Sequence, residues 1–154
     1  MKESPLAVEH YFFTRIDIRA NPGFDPEADE CEMQLDTDIG FLRDADDVSR
    51  WQVTLSLSLG DKESERCPYQ GSMEVVGLFR LPPVTGDDEH ETKARRIIGA
   101  NAPALLFSAA REMFLIVCGR GPWPAPQWPT VHFRDTIPVK EKERELVKAK
   151  AGKD

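Results

Sequence analysis

The chain has 154 residues and a net charge of −7, from 20 Lys/Arg and 27 Asp/Glu. This length is typical of one domain, and the acidic balance excludes a uniformly basic nucleic-acid-binding surface. The N-terminus lacks the apolar core of a signal peptide, and the three cysteines form neither a disulfide framework nor a CxxC pair, so we expect a cytoplasmic protein.

Four segments alternate between apolar and polar residues, which is the pattern of half-buried strands. In the first segment Tyr11 and Phe13 lie on the otherwise polar side. In the last segment Gly71 interrupts the alternation and predicts a β-bulge. The stretch between the first and third strands is acidic, with ten Asp/Glu and one Arg from residue 25 to residue 47. The predicted strands cover residues 8–19, 31–41, 51–59 and 66–81.

Helical patterns follow the strands. Residues 87–100 predict one helix, and Asn101 is expected to cap a second, with Pro103 in its first turn and Gly119 at its end. This order predicts an α+β fold, in which a four-stranded antiparallel sheet is followed by a long helix and a C-terminal helix. A single domain is expected over residues 1–138, followed by a charged, lysine-rich tail over residues 139–154.

The long helix is apolar almost all the way round. Between Leu105 and Cys118 the only strongly polar side chains are Arg111 and Glu112. Such a helix must be buried on more than one side, and we expect it to be too short and too interrupted by charge to span a membrane. A second copy of the chain is therefore expected to cover it. The predicted interface residues are Ala109, Met113 and Leu115 on the helix, with Tyr11 and Phe13 at either a subunit interface or a ligand surface.

Motifs for catalysis and cofactors are not found in the sequence. Ser72 and Ser108 have no Gly-x-Ser-x-Gly context, and the chain contains neither a P-loop nor a dinucleotide-binding loop. The spacing Asp36-x-Asp38-x-Gly40 is too incomplete for a calcium loop. We therefore expect a protein that is not an enzyme, with no catalytic residue, no metal site and no cofactor.

The order of residues around the long helix resembles the SecB family of export chaperones. The resemblance covers about residues 10 to 135. It implies the α+β fold described above, assembled as a tetramer that is a dimer of dimers. The residues that carry it are Asn101, Pro103, Leu106, Phe107, Ala109, Ala110, Arg111, Glu112, Arg120, Gly121, Trp123, Pro124, Val131 and Phe133.

The resemblance implies an ATP-independent holdase, which binds unfolded preproteins in hydrophobic grooves and passes them to the translocase motor SecA. It implies neither nucleic-acid binding nor membrane insertion. A shallow apolar groove with a flexible methionine suits clients that share no fixed sequence. The positions that match the family's groove are Phe24, Cys31, Met33, Leu35, Phe133 and Ile137.

Two departures from the family weaken the expectation of a SecA partner. Pro68 stands just after the cysteine of the fourth strand, Cys67, where the family usually has an acidic residue, and Arg66 precedes that cysteine. The tail is lysine-rich, whereas the family tail is usually polar to acidic. A dedicated chaperone of an antitoxin in a toxin–antitoxin system is therefore an alternative. A further alternative is a hot-dog-type enzyme acting on acyl thioesters, in which the helix would interrupt the strands early and carry a catalytic carboxylate.

Overall fold

The computed structural model describes residues 2–27, 33–60, 66–82, 87–134 and 136–138. These residues form, in chain order, β1 (Ala7–Ala20), β2 (Leu35–Arg43), β3 (Arg50–Leu59), β4 (Tyr69–Arg80) and α1 (Asp88–Cys118). The predicted α+β class, an antiparallel sheet of four strands followed by a long helix, is confirmed. The predicted C-terminal helix lies in the tail, outside the described residues. Because α1 follows all four strands, the order also differs from that expected of a hot-dog enzyme.

The sheet has the strand order β1-β4-β3-β2, with antiparallel pairing throughout. The central position of β3 explains why its alternation is the clearest in the sequence. Val53, Leu55 and Leu57 point to the helix side and are at most 2% exposed. Since β1 and β2 lie at opposite edges, the chain after β1 must cross the sheet before it enters β2.

Two register shifts in β1 change which of its side chains face the helix. One of them follows Phe13, and each shift moves the next side chains to the other face of the sheet. Phe13 pairs with Val75 and Ile16 pairs with Met73, and both partners are buried on the helix side. The sequence alternation placed Tyr11 and Phe13 opposite Ile16, and this prediction is wrong because the shifts bring all three to the helix side.

Gly71 lies inside β4 with a φ of +145°. The ladder continues through it, because Gly71 pairs with Ile18 on one side and with Leu59 on the other. The predicted bulge at this position is therefore wrong. A β-carbon on Gly71 would lie 1.7 Å from the carbonyl oxygen of Asp17, so a glycine is required where the backbones of β1 and β4 approach closely.

α1 is one continuous helix of 31 residues, so the predicted break at Asn101 is wrong. The N-cap is Asp87, whose side chain accepts a hydrogen bond from the N–H of Glu89 at 3.1 Å. Asn101 lies in the helix interior and donates from Nδ2 to the carbonyl oxygen of Ile97 at 2.9 Å. Pro103 also lies in the interior, at a cost of about 3 kcal/mol relative to Ala, which packing against the sheet has to offset.

One face of α1 packs on β3 and β4. Ile98, Ala102, Leu106, Ala110 and Phe114 recur every four residues, and each is at most 1% exposed. By length and composition α1 could also cross a bilayer, which corrects the expectation that it is too short. The core helix of a soluble protein can have the same length and composition, and it is buried on one face, as α1 is here. α1 is therefore no argument for a membrane span.

Candidate functional site

After α1 the chain turns back and runs along the helix in the opposite direction. We call residues 121–138, of which residue 135 is not described, the return segment. Trp128 lies 5.1 Å from the ring of Phe114 and 5.3 Å from that of Phe107, measured between centroids. Phe133 then packs edge-on against Phe107 at 5.8 Å. Because successive aromatic residues of the return segment contact earlier residues of α1, the segment covers one flank of the helix.

The start of the return segment is fixed to the sheet and to the residues after β1. The Tyr69 hydroxyl donates to the carbonyl oxygen of Trp123 at 2.5 Å and accepts from the backbone N–H of Trp123 at 3.1 Å. Trp123 donates from Nε1 to the carbonyl oxygen of Asn21 at 2.9 Å. Its ring also meets Phe24 edge-on, with 5.5 Å between centroids. The crossover after β1 and the return segment are thus neighbours at this end of α1.

Three predicted groove residues lie in the crossover and at the start of β2. Phe24 and Leu35 are half-buried, which leaves part of each apolar side chain open to solvent. Met33 is only 9% exposed and belongs to the hydrophobic core. Cys31 lies outside the described residues. The structure therefore gives Met33 a packing role, whereas Phe24 and Leu35 retain surface that a ligand could cover.

The other two predicted groove residues belong to the return segment and differ in exposure. Phe133 is 5% exposed and packs in the core beside Phe107. Ile137 is 47% exposed. The predicted groove positions thus differ in exposure, since Met33 and Phe133 are buried in the core whereas Phe24, Leu35 and Ile137 keep partly exposed side chains.

The electrostatic character of this region comes from carboxylates in the crossover and on and after β2. Asp36 and Asp38 alternate with the apolar residues of β2 and are exposed. Asp47 has a pKa lowered to about 2, chiefly by hydrogen bonds from Ser49 and Arg80. Asp47 is therefore held in a local ion-pair network. Asp36 and Asp38 are exposed on the face of the sheet opposite Leu35, and Asp25 and Glu27 are exposed in the crossover after Phe24.

The predicted assembly residues fall into two groups by exposure. Tyr11 and Leu115 are each 49% exposed. Phe13, Ala109 and Met113 are half-buried, and Phe13 and Met113 pack against the core. All five are partly open in a single chain, so each has surface left for another subunit.

The structure adds apolar surface residues that sequence reasoning missed. Leu105 is 47% and Ile116 61% exposed on α1, and Val8 is 45% and Ile16 43% exposed on β1. Ile116 could have been found from the sequence, because Leu105, Ala109 and Ile116 fall on one helical stripe at spacings of four and seven. Ile16 could not, because it lies on the helix side of the sheet, as the alternation indicates, and is exposed through the position of β1 at the sheet edge, which only the tertiary structure shows.

No protein-family model matches the chain. Its curated relatives include three proteins named protein-export protein SecB. The one from Halorhodospira halophila is 28% identical over 122 residues, which covers 78% of this chain and 68% of the relative. The one from Psychrobacter cryohalolentis is 23% identical over 92% of this chain and 90% of its own length, and that from Psychrobacter arcticus is 26% identical over 83% and 82%.

A solved structure has the same fold. It is the SecB-like chaperone of Mycobacterium tuberculosis in complex with a ChAD peptide from the HigA1 antitoxin. The TM-score is 0.58 at 17% identity, over 82% of this chain and 87% of that one.

The chain is SecB-like in sequence and in fold. In the part of the chain that the structure describes, no group of three or more His, Cys, Asp or Glu could hold a metal ion. Cys118 is a buried thiol whose pKa is raised to about 11, because burial disfavours the thiolate.

Proposed function

We propose that the chain is an ATP-independent holdase chaperone that binds unfolded polypeptide segments in an apolar groove. The observation that carries this proposal is the partial exposure of Phe24, Leu35 and Ile137 around a core that is already filled. Met33 and Phe133 support these residues from the core, and Cys31 is assigned to the same groove from the family resemblance. The binding energy would come from burying apolar side chains of the client.

The lack of a fixed client sequence follows from the chemistry of these residues. Aromatic and aliphatic side chains contribute through buried area, which depends little on the identity of the apolar partner. The exposed carboxylates Asp25 and Glu27 follow Phe24 in the crossover and would favour clients that carry basic residues. We infer a preference for unfolded segments that combine apolar and basic residues.

Assembly is the second part of the proposal. We infer a homotetramer, organised as a dimer of dimers, through the exposed apolar residues of α1 and β1. Leu115 and Tyr11, each half exposed in one chain, would be covered by a partner copy. Subunit association commonly buries half-exposed apolar side chains, and here they lie along both α1 and the edge strand β1.

Two client classes fit a SecB-like holdase. The curated relatives are named protein-export proteins, which favours unfolded preproteins as clients. The structural neighbour was solved with an antitoxin peptide, which favours a dedicated antitoxin chaperone. In this chain Pro68 is buried and Arg66 is exposed, where an acidic residue would be expected of a SecA-binding surface. We therefore propose SecA as a partner only for the export role.

The proposed activity needs no catalytic group, and we place it in the cytoplasm, where both client classes are made. The test is suppression of aggregation of an unfolded reporter protein, followed by light scattering with and without ATP. We expect suppression that is independent of ATP. A requirement for ATP, or turnover of an acyl thioester by the purified chain, would contradict the proposal and favour an enzyme.

The two client classes can be separated by competition. A basic, apolar preprotein segment and an antitoxin-derived peptide would be titrated against the same labelled client. Comparable displacement by both indicates a general holdase, whereas displacement by the antitoxin peptide alone indicates the dedicated role.

A further inference from the structure

The end of the return segment crosses α1 at a notch made by Gly99. A β-carbon on Gly99 would lie 1.8 Å from the carbonyl oxygen of Thr136 and 3.3 Å from Cα of Ile137. Glycine is among the least favourable residues in a helix interior. Its position here, directly under the backbone of Thr136, indicates that close approach of the two segments is what the glycine provides.

A second helix-disfavouring residue lies one turn further on. Pro103 is four residues after Gly99 and has no N–H to donate to the Gly99 carbonyl oxygen. The helix is therefore weakened at the same place where the return segment crosses it. Gly99 and Pro103 would both destabilise α1 as an isolated helix. Gly99 lies at the contact between α1 and residues 136 and 137, and Pro103 lies one turn away from it.

Beyond the notch, Arg95 clamps the last described residue of the return segment. Its side chain is almost completely buried, and its Nη1 donates to the carbonyl oxygen of Pro138 at 3.1 Å. Its Nε donates to the Glu91 carboxylate at 3.1 Å, and its guanidinium lies 5.7 Å from the ring centroid of Trp51. A planar guanidinium held on three sides is a rigid donor.

The clamp is also tied to the sheet. Arg43 of β2 donates through both Nη atoms to the Glu91 carboxylate and lies 4.6 Å from the ring centroid of Trp51. These hydrogen bonds lower the pKa of Glu91, so its carboxylate stays charged and continues to orient Arg95. The clamp thus joins β2, β3, α1 and the return segment.

The two contacts lie on either side of Ile137, whose side chain is 47% exposed. We propose that Gly99 and Arg95 form a latch that seats residues 136–138 on α1, and that this latch positions Ile137 for client binding. The positioning role rests on the proposed function, whereas the latch itself does not. Gly99 and Arg95 are positioning residues, since they act on the client through Ile137.

The latch can be tested by limited trypsin digestion followed by mass spectrometry. Arg134, just before the latch, and Arg120, just before the start of the return segment, are both exposed cleavage sites. Gly99→Ala should raise the rate of cleavage after Arg134 about tenfold, because proteolysis follows the population of the opened state. Cleavage after Arg120 should not change. Gly40→Ala is the matched control, since its added carbon would meet only Thr54 at 3.9 Å.

A second variant tests the clamp without adding bulk at the notch. Arg95→Met keeps an unbranched apolar side chain but removes the donor to Pro138, and it should also raise cleavage after Arg134. Arg95→Lys, which retains a donor, should give an intermediate rate. Unchanged cleavage after Arg134 in both Gly99→Ala and Arg95→Met would overturn the latch.

The positioning role is tested on the same preparations by measuring the affinity for a permanently unfolded reporter protein. In Gly99→Ala we expect the dissociation constant to rise at least threefold while the scattering mass stays that of the unmodified chain. An unchanged dissociation constant together with faster cleavage would overturn the positioning role. If the unmodified chain binds no reporter, the proposed function fails, and the digestion result still decides whether the latch exists.

Discussion

Leu115→Glu should separate the folding of one subunit from its assembly. Leu115 is already 49% exposed in a single chain, so a charge there leaves the core intact. Complete burial of a leucine contributes about 1.5–3 kcal/mol, so the exposed half would contribute about 1 kcal/mol per copy when a partner covers it. A buried, unpaired carboxylate costs roughly 2 kcal/mol or more in addition. The total is about 3 kcal/mol per copy, and because a symmetric dimer carries the change in both copies, the sum of about 6 kcal/mol corresponds to a dissociation constant raised by about four powers of ten.

The assay is light scattering after size exclusion at micromolar concentration. Val48→Glu is the matched control, because Val48 is 55% exposed in the turn between β2 and β3, near the start of α1 and far along the helix from Leu115. It adds the same charge and should leave the assembled mass unchanged. Leu106→Glu, at a side chain only 1% exposed, should instead unfold the subunit. The reasoning is refuted if the unmodified chain is a monomer of 17.4 kDa, or if Leu115→Glu assembles as the unmodified chain does.

Three further outcomes follow from the contacts. Leu35→Ser should weaken binding of an unfolded client by about tenfold and should lower stability less than Met33→Ser, which should cost about 2 kcal/mol or more, because Met33 is buried in the core whereas Leu35 is only partly buried against it. Tyr69→Phe should cost about 1–3 kcal/mol in urea denaturation, since both backbone partners in Trp123 lose their hydrogen bond. The pKa of Glu74 is lowered chiefly by the hydrogen bond from the Thr14 hydroxyl. The stabilising contribution of the Glu74 carboxylate is therefore complete above about pH 4.5 and is lost as the pH falls through the lowered pKa. Glu74→Gln should flatten the acidic part of a curve of unfolding free energy against pH.

The strand and helix content was readable from the sequence because each segment is dominated by one periodicity. β3 shows this most clearly, since alternate residues from Trp51 to Leu59 are buried and the residues between them are not. The apolar surface of α1 was also visible, because a helix with so few polar residues has more apolar surface than one sheet can cover. The groove assignments of Phe24 and Leu35 came from the family resemblance, and their use in client binding stays a prediction.

The sequence could not show which side chains of β1 lie on the helix side of the sheet, or that α1 is continuous. A register shift exchanges the two faces of a strand, and no local signal marks the one after Phe13. Local rules likewise place a helix start at Asn101 and Pro103, yet packing against the sheet keeps α1 continuous through both.

The sequence by itself therefore determined the α+β class, the strand order along the chain and the excess of apolar surface, because these depend on periodicity and composition. Tertiary structure alone decided which residues come together across long separations. Gly99 meets Thr136, and Arg95 meets Pro138, because the return segment runs back along α1. Contacts of this kind depend on where distant segments cross, which no local pattern of residues encodes.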